Sequence, residues 1–306
     1  MDNPIVSGRS SCMLWLSLGC LALVSAAASA QPRTNEFRCD LASVDLPEGA
    51  VGPTFDSADW SPFGARSGVT FVVTLDPAAV GLQPFRTQIL ACMEAACARW
   101  GQVLNGANVT IEVSVLENNQ FPRATGYSLT SAFVRQEGGL RIYEQAVAHE
   151  VRTGVDPNGN LPDLIVTLNQ SYTSGELWFD PAPGTRTLPV PTNRTDAVSV
   201  FLHEIGHAVA FNGWRDNTSG QLPDDYASTF DAHTEPGVPQ WFSGPISVAR
   251  YAGSVPLTYA NAKHVGNDPP HPGTDLISDL MNGVVFYRGY RYDISNLNLA
   301  VCRDCG

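Results

Sequence analysis

His203, Glu204 and His207 stand at a spacing that could do chemistry: two imidazoles four residues apart, with a carboxylate directly after the first. On an α-helix, residues i and i+4 share a face, so both histidines can reach one metal ion while Glu204 stands beside it. In outline this is a zinc hydrolase site, where the metal acidifies a water and the carboxylate takes up its proton. The plain alternative is a pair of core histidines satisfied by ordinary hydrogen bonds.

The elements that must position these residues can be read from periodicity. After Pro191, Thr195 offers an N-cap hydroxyl and Asp196 a first-turn acid, and a helical pattern then runs from Ala197 to about Phe211. Val198, Phe201, Leu202, Ile205 and Val209 form one apolar stripe; the two histidines fall on roughly the opposite side and are expected to face a cleft. Upstream, Val69 to Leu75 reads as a strand, Phe85 to Leu104 as a helix, and Asn108 to Leu116 as an alternating strand. Arg141 to Val151 fits either a short helix or a strand. Asp163 to Leu168 reads as a buried strand and Leu177-Trp178-Phe179-Asp180 as a short edge strand. Strands alternating with helices ahead of the metal helix predict an α+β protein with an α/β-like first lobe: a mixed, twisted sheet carrying the active-site helix. Beyond Trp214 the chain becomes rich in Gly, Pro and Asn up to Val301, as expected of a second, irregular lobe. Asp156 to Asp163 loosely resembles a calcium loop but lacks its glycine and terminal glutamate, so a turn is expected there.

The first thirty residues have the layout of a signal peptide. Arg9 supplies the positive flank, Met13 to Val24 the apolar run, and Ala28-Ser29-Ala30 a small-residue cleavage site. Export to the periplasm or the extracellular medium is therefore expected, with no membrane span. Residues 31–62 lack sustained periodicity and read as a lead-in or short pro-segment; 63–214 then form the catalytic lobe and 215–306 the second lobe. A net charge of −12 argues against nucleic acid and anionic membrane surfaces as partners. Of seven cysteines, Cys12 and Cys20 would leave with the signal. The remaining Cys39, Cys92, Cys97, Cys302 and Cys305 are odd in number, so at least one is left out of any internal pairing. Their spacing does not suit a second zinc site. Cys39 could serve as a thiolate that blocks a latent metal centre, or be an ordinary thiol or half of a disulfide.

A catalytic zinc takes three protein ligands and leaves one position to water. The third could be His264, His233 or His271, or a carboxylate from Asp225, Asp231 or Glu235. The string His203-Glu-Ile-Gly-His-Ala-Val-Ala-Phe211, then Lys263-His264-Val-Gly, then Asp279-Leu-Met281-Asn resembles the zinc endopeptidases of the metzincin family. It is most similar to the leishmanolysin-like members and related secreted bacterial enzymes, in which a long insertion separates the helix from a distant third histidine. Where the short metzincin motif has glycine and its third histidine, this chain has Ala210 and Gly213.

The resemblance implies that His264 is the third ligand, that Met281 is the methionine-turn residue under the metal, and that Ile294 to Ala300 is the closing helix. It also implies the activity: hydrolysis of peptide bonds in a peptide or protein substrate by zinc-activated water, with Glu204 as general base. The substrate would lie along the edge formed by Leu177, Trp178 and Phe179. Tyr287, Tyr290 and Tyr292 are open to either a carbonyl-polarising or a packing role. The competing expectation is a zinc-bound surface or interaction protein that kept the metal helix and lost turnover; Glu204 weighs against it, because a structural zinc site needs no general base.

Overall fold

The computed structural model describes residues 42–45, 68–266 and 276–306. The expected signal segment, most of the lead-in with Cys39, and His271 lie outside the described residues. In chain order the elements are β1 (Ala42–Val44), β2 (Val69–Leu75), α1 (Arg86–Val103), β3 (Val109–Glu117), β4 (Ala124–Ser128), β5 (Ser131–Glu137), β6 (Leu140–Gln145), α2 (Ala146–Thr153), β7 (Leu164–Leu168), α3 (Gln170–Gly175), β8 (Leu177–Trp178) and β9 (Thr195–Asp196). The second half follows with α4 (Ala197–Val209), β10 (Tyr226–Ser228), α5 (Thr229–Ala232), β11 (Trp241–Phe242), α6 (Pro245–Tyr251), β12 (Val255–Pro256), β13 (Val285–Tyr287) and α7 (Asn296–Cys305). The fold is mixed α+β, with several small sheets rather than one large one.

The largest sheet has the order β2-β3-β7-β4. Its first three strands are parallel, and β4 runs antiparallel to β7 along the edge. Apolar alternation in β3 places Ile111, Val113 and Val115 in the core, while every residue of β7 is buried, as a central strand covered on both faces requires. The helix α1 crosses from β2 to β3 and buries Ile89, Met93, Ala96 and Trp100. Phe230, Phe242 and Met281, from beyond Trp214, join the same apolar cluster as Leu202 and Ile205 of α4.

The ambiguous stretch Arg141 to Val151 is both things in turn: β6 ends at Gln145 and α2 begins at the next residue. The start of α4 also differs from expectation. Asp196 itself is the N-cap, its carboxylate accepting from the Ser199 N–H at 3.0 Å, and Thr195 instead bonds Ser43 of β1. Arg186 and Arg291 close on the same carboxylate and carry Asp293 and Asp180 with them, so the helix N-terminus is fixed by a buried ionic cluster.

Two further corrections concern the surroundings of α4. All thirteen of its residues are buried, so the histidines do not look out from a solvent-facing side. The edge strand β4, α1 and the chain around Met281 enclose them. Leu177 and Trp178 do not form an edge of the main sheet: they pair with Thr195 and Asp196 in a separate two-stranded sheet, at the N-terminal end of α4. Leu177 is buried, and the Arg291 guanidinium sits 5.3 Å above the Trp178 ring.

Candidate metal centre

Three imidazoles meet in the interior. The Nε2 atoms of His203, His207 and His264 lie 3.1, 3.1 and 3.0 Å from one another, and all three side chains have no exposed surface. His203 and His207 are brought together by the helical repeat of α4. His264 arrives on a tight loop whose ends are tied by Thr258 N–H to the His264 carbonyl and by Val265 N–H to the Met281 carbonyl. Of the candidates for third ligand among the described residues, His264 alone joins the pair. His233 lies against the Phe242 ring, Asp225 pairs with Arg141, and Glu235 is held by Ser243 and Ser254.

The protonation pattern follows from the backbone. His203 Nδ1 faces the Leu280 carbonyl at 2.7 Å, His207 Nδ1 the Phe211 carbonyl at 2.7 Å, and His264 Nδ1 the Asn261 carbonyl at 3.2 Å. A carbonyl can only accept, so each Nδ1 carries the proton and donates it, which leaves a lone pair on each Nε2. Burial, and then the neighbouring His207, hold His203 well below the usual histidine range. Burial pushes His207 down to about 4, and burial with the other two imidazoles pushes His264 far down.

Three neutral rings with lone pairs aimed at one another repel unless a cation lies between them. Zinc–nitrogen bonds of about 2.0–2.1 Å in a tetrahedron require nitrogen separations of roughly 3.3 Å, close to those found. The residues present therefore fit a metal ion with one position left over.

The turn that carries Met281 does two jobs. Its Leu280 carbonyl orients His203, and the Met281 side chain, fully buried, presses on Gly206 between the two helix histidines. Asp279 pins this turn, accepting from the Met281 N–H at 2.8 Å, from Asn298 at 2.7 Å and from Ser295 at 2.6 Å, the last two at the start of α7. Burial raises the Asp279 carboxyl above the usual range. Phe286 stands edge-on to His203 at 5.3 Å, and Tyr292 stacks on Phe286 while its hydroxyl accepts from the Tyr287 N–H. Tyr292 is thus part of the packing behind the site.

Ala210 and Gly213 also find their explanation. The helix stops at Val209 with Ala210 as its C-cap, so that the Phe211 carbonyl turns back to His207. Gly213 passes so close to Asp231 that a β-carbon would overlap the carboxylate, which accepts from the N–H groups of Trp214, Arg215 and Ser228. The buried Lys263 ammonium lies 3.7 Å from the same carboxylate and donates to the Arg215 carbonyl, which anchors the residue just before His264.

Sequence reasoning missed Gly126 and Gly206. A β-carbon on Gly126 would overlap the Glu204 carbonyl, so β4 crosses α4 at the general-base candidate itself. The only trace of this in the sequence is a glycine inside a short strand, a mark of close backbone approach.

Compared with models of protein families, with curated proteins and with solved structures, the chain matches none.

Proposed function

We propose that this chain is a secreted zinc metalloendopeptidase of metzincin type, similar to the leishmanolysin-like group. One observation carries the reading: three neutral imidazole nitrogens converge at 3.0–3.1 Å on a helix that also bears Glu204. Bound there, zinc would supply a polarised scissile carbonyl and an acidified water.

The chain's own residues do the rest. His203, His207 and His264 keep their protons on Nδ1, held by three backbone carbonyls, so their lone pairs stay directed inward. Glu204 receives the water's proton and hands it to the leaving amine; no covalent acyl-enzyme is needed. The strand that would receive an extended substrate is β4 rather than β8, because β4 is the antiparallel edge of the main sheet and passes directly over Glu204.

A second reading has one observation in its favour. The three histidines and Glu204 are all fully buried, which suits a protein that holds zinc for an interaction surface without turning over substrate. Hydrolysis of denatured protein substrates separates the two. The protease reading expects cleavage that stops with a chelator and returns on adding zinc, whereas absence of cleavage over a wide range of pH and substrates favours the second.

A further inference from the structure

A second group of potential ligands lies at the end of the main sheet away from the histidines' sequence neighbourhood. Glu150 sits in the last turn of α2, Asp156 in the loop that follows, and Asp163 immediately before β7. One carboxylate oxygen from each comes within 4.8 Å of the other two. None of these residues makes an ion pair among the described residues, so three carboxyl groups are gathered with no base against them.

Two of the three are inside the protein. Asp163 is 4% exposed and Glu150 6%. Asp163 is held in place, Oδ2 accepting from the Glu112 N–H of β3 at 2.7 Å and Oδ1 from Asn158 Nδ2 at 3.0 Å. Glu150 differs. Its Oε2 is buried and has no hydrogen-bond partner, and one oxygen of the same carboxyl group lies within 4.8 Å of the Asp156 and Asp163 carboxylates. A buried carboxylate oxygen without a donor is costly, and like charges at this distance add to the cost. Burial, and then the Asp163 carboxylate, push the Glu150 carboxyl up to about 8.

We propose that Glu150, Asp156 and Asp163 form a calcium site, separate from the histidine centre, that clips the end of α2 and the loop 154–163 to the β3–β7 end of the sheet. The chemistry of the donors selects the ion: all are carboxylate oxygens, which suit a hard cation and not zinc or copper. Calcium accepts irregular sets of six to eight oxygens, including bidentate carboxylates and water, whereas magnesium demands a near-octahedral shell and sheds its waters reluctantly. Asp156 is exposed, so the ion would keep water on that side. The helix it fixes packs against α4, so the clip supports the wall behind the histidine centre without touching it.

The test uses the full chain, titrated with calcium chloride in a calorimeter and melted with and without calcium. The expected result is one calcium per chain and a melting temperature higher by several degrees at millimolar calcium. Glu150→Gln keeps the side-chain shape, and Asp156→Asn alters only an exposed group; each is expected to weaken calcium binding at least tenfold and to remove the thermal shift, with the metal content of the histidine site unchanged. No calcium uptake by the parent, or the same calcium response in both variants as in the parent, would overturn the proposal.

Discussion

The Met281 sulfur occupies the place that a side chain on Gly206 would need: a β-carbon built there falls 2.5 Å from it. The glycine between the two helix histidines leaves the room that the methionine beneath them fills. Gly206→Ala forces either the methionine or the helix to move, an overpacking that should cost about 1–3 kcal/mol. Urea unfolding measures it, and in a Met281→Ala background, where the room is already made, Gly206→Ala should cost less than it does in the parent. If Gly206→Ala unfolds at the parental midpoint, this contact does not shape the site.

His264→Ala removes one of three converging nitrogens and should lower metal affinity by on the order of a hundredfold or more, at least matching what loss of a supporting group costs. His233→Ala, whose ring lies against Phe242 away from the group, should leave affinity unchanged. Metal analysis of the two dialysed variants checks this. Retention by His264→Ala with loss from His233→Ala would reverse the assignment.

Acidification should destabilise the metal-free chain over a defined window. His207 has a folded value of about 4 against an ordinary value of 6.5. Above pH 6.5 it is neutral whether folded or unfolded, and its contribution to stability is fully present. As pH falls from 6.5 toward 4, the unfolded chain takes up a proton that the folded chain refuses, so stability drops until the folded value is passed. His203 and His264, depressed further, extend the loss to lower pH. Denaturant midpoints of chelator-treated protein at pH 7, 5.5 and 4.5 should fall in that order; a flat profile would contradict the burial of neutral imidazoles.

The legibility of this site varied with the length of the pattern that encodes each part. Val69 to Leu75 is the strand β2, as expected, and α1 departs from the expected helix by about one residue at each end, because long periodic segments bury long stripes. His203, Glu204 and His207 were readable because a single helical turn relates them. Their burial was not: periodicity sets them opposite the apolar stripe, but cannot show that β4 and the Met281 turn cover that side too. The strand β4 leaves no such mark in the sequence, because Ala-Thr-Gly-Tyr-Ser has no apolar alternation. The pairing of Leu177 and Trp178 with Thr195 and Asp196 rather than with the main sheet rests on a two-residue contact, too short to leave a period. His264 could be singled out by resemblance but not by spacing, since its approach depends on the loop closure from Leu257 to Val265 and on the buried Lys263–Asp231 pair.

Glu204→Gln separates proton transfer from metal binding, because it removes the proton acceptor while leaving the three imidazoles and the shape of the helix in place. Zinc content, melting temperature and peptide hydrolysis are measured on the variant and the parent with one substrate. The variant should keep the parental zinc content and melting temperature, with hydrolysis lower by on the order of a hundredfold or more. Parental turnover with zinc in place would contradict it.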